Sequence, residues 1–111
     1  MKNFVKEGDV ITVTAPYDVA SGDGVLVGSL FGVAAYTAVS GAAVEIKPEG
    51  VFDIKALSTD TGNPGAKLYW DNTNKRLTTT ASGNTLVGCI VELAKANGDA
   101  TARVYLDGTI R

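Results

Sequence analysis

Hydrophobic and polar residues alternate in short runs along most of the chain, which is the period of a half-buried β-strand. The clearest runs are residues 9–15, 44–47, 51–56 and 102–106, and the first of them is rich in β-branched residues. Shorter or less regular strands are predicted at residues 25–27, 31–38, 67–70, 76–80 and 86–96. The phase of the alternation places four side chains in the core: Phe52, Ile54, Val91 and Val104.

Glycine, asparagine and proline separate these runs. Asn97-Gly98 is the strongest hairpin signal, because both residues tolerate a positive φ. Gly32 interrupts a strand and indicates a bulge or a close backbone approach. Since no window sustains an amphipathic helix, we predict an all-β fold: a small closed or nearly closed β-barrel of short strands with glycine-rich turns.

Two stretches of the chain resemble each other. Residues 21–34 and residues 82–91 both begin with Ser-Gly and continue to Leu-Val-Gly, with one residue fewer between these motifs in the second copy. The echo is consistent with two similar halves of one β-domain. Two unrelated hairpins remain an equally good interpretation, because Ser-Gly turns and Leu-Val strands are common.

The length of 111 residues corresponds to one domain. Residues 1–8 precede the first convincing strand, and their apolar pair Phe4-Val5 is bracketed by charged residues. We therefore divide the chain into an N-terminal arm, residues 1–8, and a single β-barrel domain, residues 9–111. A second interpretation makes residues 3–7 one more edge strand of the barrel.

The residues that usually carry catalysis are scarce. The chain has no histidine and one cysteine, Cys89, inside an apolar run, so we expect no catalytic centre, no metal site and no cofactor. Gly22-Asp23-Gly24 superficially resembles a dinucleotide loop, but a strand follows it where that fingerprint needs a helix. We expect that the protein is not an enzyme.

The net charge is −2, and the lysines and arginines are dispersed. This pattern does not favour duplex binding, so we expect no specific nucleic-acid partner. No apolar run approaches the length of a membrane span and the N-terminus has no signal-peptide core, so we expect a soluble product without a membrane partner.

Several segments together resemble a known family. They are residues 1–9, the Ala-Pro-Tyr break at 15–17, residues 21–28, 50–54, 65–71 and 102–106. The chain is similar, nearly end to end, to small phage and prophage proteins long known as domain of unknown function 2190 and now described as capsid cement. Some members carry a RecA/RadA-like recombinase label, which the absence of a phosphate loop here does not support.

The resemblance implies a structural, head-decorating role on the virion capsid surface, with the host cytoplasm as the location before assembly. The implied partners are the major capsid protein and further copies of the chain, with a homotrimer favoured. Exposed aromatic residues suit such contacts. The candidate capsid or protomer contacts are Phe4, Val5, Tyr17, Tyr69 and Tyr105.

The main alternative is a small nucleic-acid-binding barrel of the OB or SH3-like kind. Tyr69 follows Lys67 closely and Tyr105 follows Arg103, which is the mixture of aromatic and basic residues that single-strand binders use.

Overall fold

A computed structural model describes residues 9–110 of the chain. The described residues contain strands and no helix, so the predicted all-β class is confirmed. The nine strands are β1 (Ile11–Thr14), β2 (Gly24–Val27), β3 (Leu30–Ala34), β4 (Ala43–Lys47), β5 (Glu49–Lys55), β6 (Lys67–Asp71), β7 (Arg76–Thr78), β8 (Thr85–Ile90) and β9 (Thr101–Asp107).

The strands form two antiparallel sheets with the same topology. Sheet I has the order β1-β4-β3-β2, and sheet II has the order β5-β9-β8-β6-β7. If β7 is set aside, the two orders match strand for strand along the chain. The two similar halves suggested by the sequence echo are therefore present. The similar sequence stretches align β2 with β8, although the strand that corresponds to β2 in the sheet order is β6.

Each half is built from two copies of one unit. In this unit a strand is followed by a bend or turn, then by a residue that forms an isolated β-bridge, and then by a tight turn into the next strand. The bridge residues pair with each other, Val19 with Ala38 in the first half and Gly62 with Lys95 in the second. The turns after them carry a glycine at the third position. These glycines, Gly22, Gly41, Gly65 and Gly98, have φ between 89° and 102°, a region that favours glycine.

The shape is roughly barrel-like, because sheet II curls until β7, at one edge, reaches the residues that follow β5, at the other edge. The Leu57 amide donates to the Leu77 carbonyl at 2.9 Å, which joins the end of β5 to β7. The interior holds the alternating side chains of this sheet, among them Ile54, Leu68 and Val104. Ile54 and Val104 were predicted there correctly. Phe52 packs against the same cluster while remaining partly exposed.

Sheet I has a second, smaller core around Val25, Val44 and Ile46. Strand β3 serves both cores, since Phe31 and Val33 point toward the interior of sheet II while Ala34 belongs to the core of sheet I. The Phe31 and Trp70 rings lie 5.1 Å apart. We call this junction between the two halves the seam.

The sequence prediction is wrong around β8. A single strand was expected over residues 86–96, with Val91 in the core, but β8 ends at Ile90 and Val91 is only partly buried. A register shift against β6 breaks the alternation, so that Val87 and Ile90, three residues apart, are the buried pair. Glu92 then turns the chain with a φ of 66°.

The turn at Asn97-Gly98 is present but does not form a two-residue hairpin. It lies inside the ten-residue connection between β8 and β9, where the Asp99 amide donates to the Ala96 carbonyl at 3.1 Å. The predicted strand at residues 31–38 is also shorter and ends at Ala34. The close approach predicted at Gly32 is confirmed, because a Cβ there would lie 2.9 Å from the Lys47 carbonyl oxygen.

Candidate interaction face

The outer face of sheet II carries a row of side chains that crosses four strands. Val51 of β5 pairs with Tyr105 of β9, Tyr105 pairs with Cys89 of β8, and Cys89 pairs with Lys67 of β6. In β9 the inward positions are taken by Ala102, Val104 and Leu106, which leaves Tyr105 outward. The row is therefore a direct product of strand alternation and register.

This row includes unusually large apolar groups for a solvent-facing sheet. Val51 is 49%, Tyr105 46% and neighbouring Leu86 43% exposed. A depression of about 280 Å³ lies among Leu86, Cys89 and Tyr105. We call the set Val51, Lys67, Leu86, Cys89 and Tyr105 the sheet II face.

Gly88 lets β8 and β9 approach closely beneath this depression. A Cβ at Gly88 would lie 2.2 Å from the Tyr105 carbonyl oxygen and 2.9 Å from Val104 Cγ2, so a side chain there requires the strands to separate. The close packing of β8 against β9 therefore requires glycine at position 88. Gly88 also lines the depression.

Two of the predicted contact residues share this surface. Tyr69 pairs with Leu86, and its neighbours Leu68 and Trp70 point into the core, which leaves Tyr69 on the same side as Lys67. Tyr69 is partly buried, whereas Tyr105 is exposed. Both tyrosines were predicted from the sequence as candidate contacts, but Val51 and Leu86 were not. The only sign of these two in the sequence was an apolar residue at a strand position whose side chain points outward.

Tyr17 lies in the other half, and its hydroxyl is used within the chain. It donates to the Gly24 carbonyl at 2.9 Å and accepts from the Leu26 amide at 3.2 Å. Burial raises the pKa of Tyr17, against the opposing effect of the Leu26 hydrogen bond. Because β2 is an edge strand of sheet I, the tyrosine occupies backbone groups that another strand would otherwise pair with. Its ring also receives the ammonium group of Lys75 at 4.2 Å.

The other two predicted contacts, Phe4 and Val5, lie outside the described residues. Their contact role stays a prediction, as does that of the three tyrosines.

Charges of both signs flank the sheet II face. Arg103 donates through Nε to Asp53 at 3.0 Å and through Nη1 to Glu92 at 3.2 Å. The Arg103 hydrogen bond lowers the pKa of the Asp53 carboxyl. Lys67 and Asp107 lie on the same side of sheet II, so acidic groups accompany the basic ones here, whereas a nucleic-acid surface typically has a basic excess.

In the second half, the side chain of Lys95 is buried next to the backbone bridge between Gly62 and Lys95. Lys95 is 4% exposed, and its Nζ donates to the carbonyls of Asp60 at 2.8 Å and Ser58 at 3.3 Å. The Asp60 carboxylate meanwhile accepts from Thr78 Oγ1 at 2.6 Å and the Thr79 amide at 2.9 Å. Burial alone would raise the pKa of Asp60, but these hydrogen bonds and the nearby Lys95 hold it below its ordinary value. The arrangement holds two loops together.

Among residues 9–110, no group of three or more Cys, Asp or Glu side chains is arranged to hold a metal ion. Nor does that part of the chain contain a helix long and apolar enough to cross a membrane. The family model for phage cement proteins matches residues 5–106. The chain belongs to the phage cement protein family.

Membership indicates a capsid-associated structural role and a place on the virion capsid. No curated protein and no solved structure matches this cement protein. The residues that make its contacts must therefore be argued from its own surface.

Proposed function

We propose that this cement protein binds the outside of the assembled phage shell and stabilises it by bridging neighbouring copies of the major capsid protein. The single observation that carries the proposal to particular residues is the exposed apolar sheet II face. A stable interface needs a desolvated apolar centre with a polar rim. Here Tyr105, Leu86 and Val51 supply the centre, and Lys67 with the Arg103 ion pairs supplies the rim.

The mechanism is additive. Each copy would contribute a modest interface, and many copies attached at several points would resist expansion of the shell together. We propose that the protein acts as a homo-oligomer, with a trimer expected from the resemblance, and that it waits in the host cytoplasm until a shell is available. The N-terminal arm, with Phe4 and Val5, is a second proposed contact.

The direct test places a charge at the centre of the sheet II face. Tyr105→Asp should weaken binding to purified expanded shells at least tenfold, since truncating a central aromatic anchor costs about 2 kcal/mol or more. The matched control is Val39→Asp, which changes a residue that is 65% exposed in the first half of the chain. Binding is measured by co-sedimentation, and circular dichroism verifies that both variants are folded.

The natural thiol provides an independent measurement. Cys89 is partly exposed on the sheet II face, so shell binding should slow its reaction with a maleimide reagent. Full shell binding by folded Tyr105→Asp, together with an unchanged Cys89 reaction rate on shells, would show that this face is not the contact. Light scattering with size-exclusion chromatography measures the oligomeric state.

A further inference from the structure

A second surface feature lies where the two halves meet, beside the sheet II face. It is a cleft of about 560 Å³ between the start of sheet I and the C-terminal end of β9. Apolar side chains line it from both halves, with Ile11 and Leu30 from the first and Ile110 from the second. Ile110 is 76% exposed, the highest value among the large hydrophobic residues of the described chain.

The cleft is also acidic. Among residues 9–110, its lining includes the carboxylates of Asp9, Glu49 and Asp107, and no lysine or arginine. Glu49 approaches the position where a Cβ on Gly108 would lie, and Asp107 accepts a hydrogen bond from the Thr109 amide at 3.1 Å. An occupant that suits this lining combines an apolar centre with positive charge on either side.

The chain itself has a segment of that character next to the cleft. Residues 1–7 place Phe4-Val5 between Lys2 and Lys6, with Glu7 as the one acidic residue. The segment joins the domain through Gly8 at Asp9, and Asp9 is itself part of the cleft lining. Phe4 is five residues from Asp9, a span of up to about 17 Å in an extended chain, so it can reach the cleft.

We propose that the cleft is the docking site for the protein's own N-terminal segment, residues 1–7, with Phe4 against the apolar lining and Lys2 and Lys6 beside the carboxylates. Attachment through Gly8 makes the docking intramolecular, so weak contacts are sufficient. Docking would cover the apolar pair while the protein is free, and the cleft would compete with the shell for the same segment.

The test is disulfide trapping in the free protein, with Cys89→Ser as the background. Phe4→Cys combined with Ile110→Cys should form an intramolecular disulfide quickly at micromolar concentration, detected as monomer by mass and gel mobility. The control pairs Phe4→Cys with Val39→Cys, an exposed apolar position that does not line the cleft. Equal trapping rates for the two pairs, or trapping between molecules only, would overturn the proposal.

Charge variants test the electrostatic part. Glu49→Lys or Lys6→Glu should slow trapping about two- to fivefold, the range expected of an exposed ion pair, and the two together should restore it. Glu45→Lys, at an exposed position of β4 outside the cleft, should leave the trapping rate unchanged. If neither Glu49→Lys nor Lys6→Glu changed the trapping rate, the carboxylates would have no part in docking. These experiments need no shells, so their failure is distinguishable from failure of the proposed function.

Discussion

The buried ammonium group of Lys95 should be a main source of stability in the second half of the protein. The perturbation is Lys95→Met, which retains a long apolar side chain and removes only the charge and its hydrogen bonds. The Asp60 carbonyl loses its Lys95 donor at 2.8 Å, whereas the Ser58 carbonyl, 3.3 Å from the ammonium group, keeps the Gly98 amide as a donor at 2.7 Å. A third contact, to Ala96 at 3.5 Å, is at the limit of a hydrogen bond.

Two opposing effects set the magnitude. Leaving the Asp60 carbonyl without this donor costs about 1–3 kcal/mol. Methionine avoids the desolvation of a buried ammonium group, which costs several kcal/mol in the native protein and so offsets part of the loss. We expect a net loss of about 2 kcal/mol in the free energy of unfolding, because a hydrogen bond to a charged group contributes about 1.5–3 kcal/mol net. The Asp60 carboxylate also loses the nearby positive charge that stabilises it.

The assay is thermal and urea unfolding followed by circular dichroism. A loss of about 2 kcal/mol should lower Tm by about 8–16 °C in a domain of this size. Lys47→Met, at an exposed position on β4, is the matched control and should stay within about 0.5 kcal/mol of the parent. If Lys95→Met also stayed within that range, the hydrogen bonds would be worth no more than the desolvation they require, and the reasoning would be refuted.

Three further changes test other parts of the structure. Gly88→Ala should cost about 3 kcal/mol, at the upper end of overpacking, because the β9 backbone blocks the new Cβ. A loss in urea unfolding no larger than for Gly83→Ala, where the Cβ meets open space and only the strain of a φ of 75° remains, would contradict this. Tyr17→Phe should cost about 1–2 kcal/mol and promote association detectable by light scattering, since the β2 edge is exposed. For Asp60, the folded-state pKa lies below the unfolded one, so its stabilisation is present above about pH 4 and is lost as pH falls through the folded pKa. The difference in unfolding free energy between the parent and Asp60→Asn should therefore shrink on acidification; a difference that is constant from pH 7 to pH 3 would rule this out.

The fold class and much of the core could be predicted from the sequence because alternation is a local property. Val44 and Ile46, and likewise Leu68 and Trp70, are buried as the period of two requires. The prediction failed at Val91 because the register shift between β6 and β8 is a property of the pairing, and an apolar run such as residues 86–91 fits either phase. Gly88 was the local clue, but a glycine in a strand does not show which neighbour approaches it.

The candidate site was only partly predictable for a similar reason. Tyr69 and Tyr105 are 36 residues apart, and only the sheet order places their strands on either side of β8. Tyr17 had the same apparent character in the sequence, yet its hydroxyl binds the backbone of β2, seven and nine residues further along. Whether an aromatic residue serves a partner or its own chain depends on such pairings, which composition does not reveal.

The position of Trp70 has a practical consequence for measuring this protein. Trp70 is the single tryptophan, and its ring packs at the seam against Phe31 and close to Gly24, where a Cβ would lie 2.7 Å away. Within residues 9–110 no strand of one sheet pairs with a strand of the other, so the halves meet through side chains. Intrinsic fluorescence therefore reports separation of the halves, whereas far-ultraviolet circular dichroism reports loss of the strands. Two transitions that do not coincide would identify a state in which both halves are folded but parted.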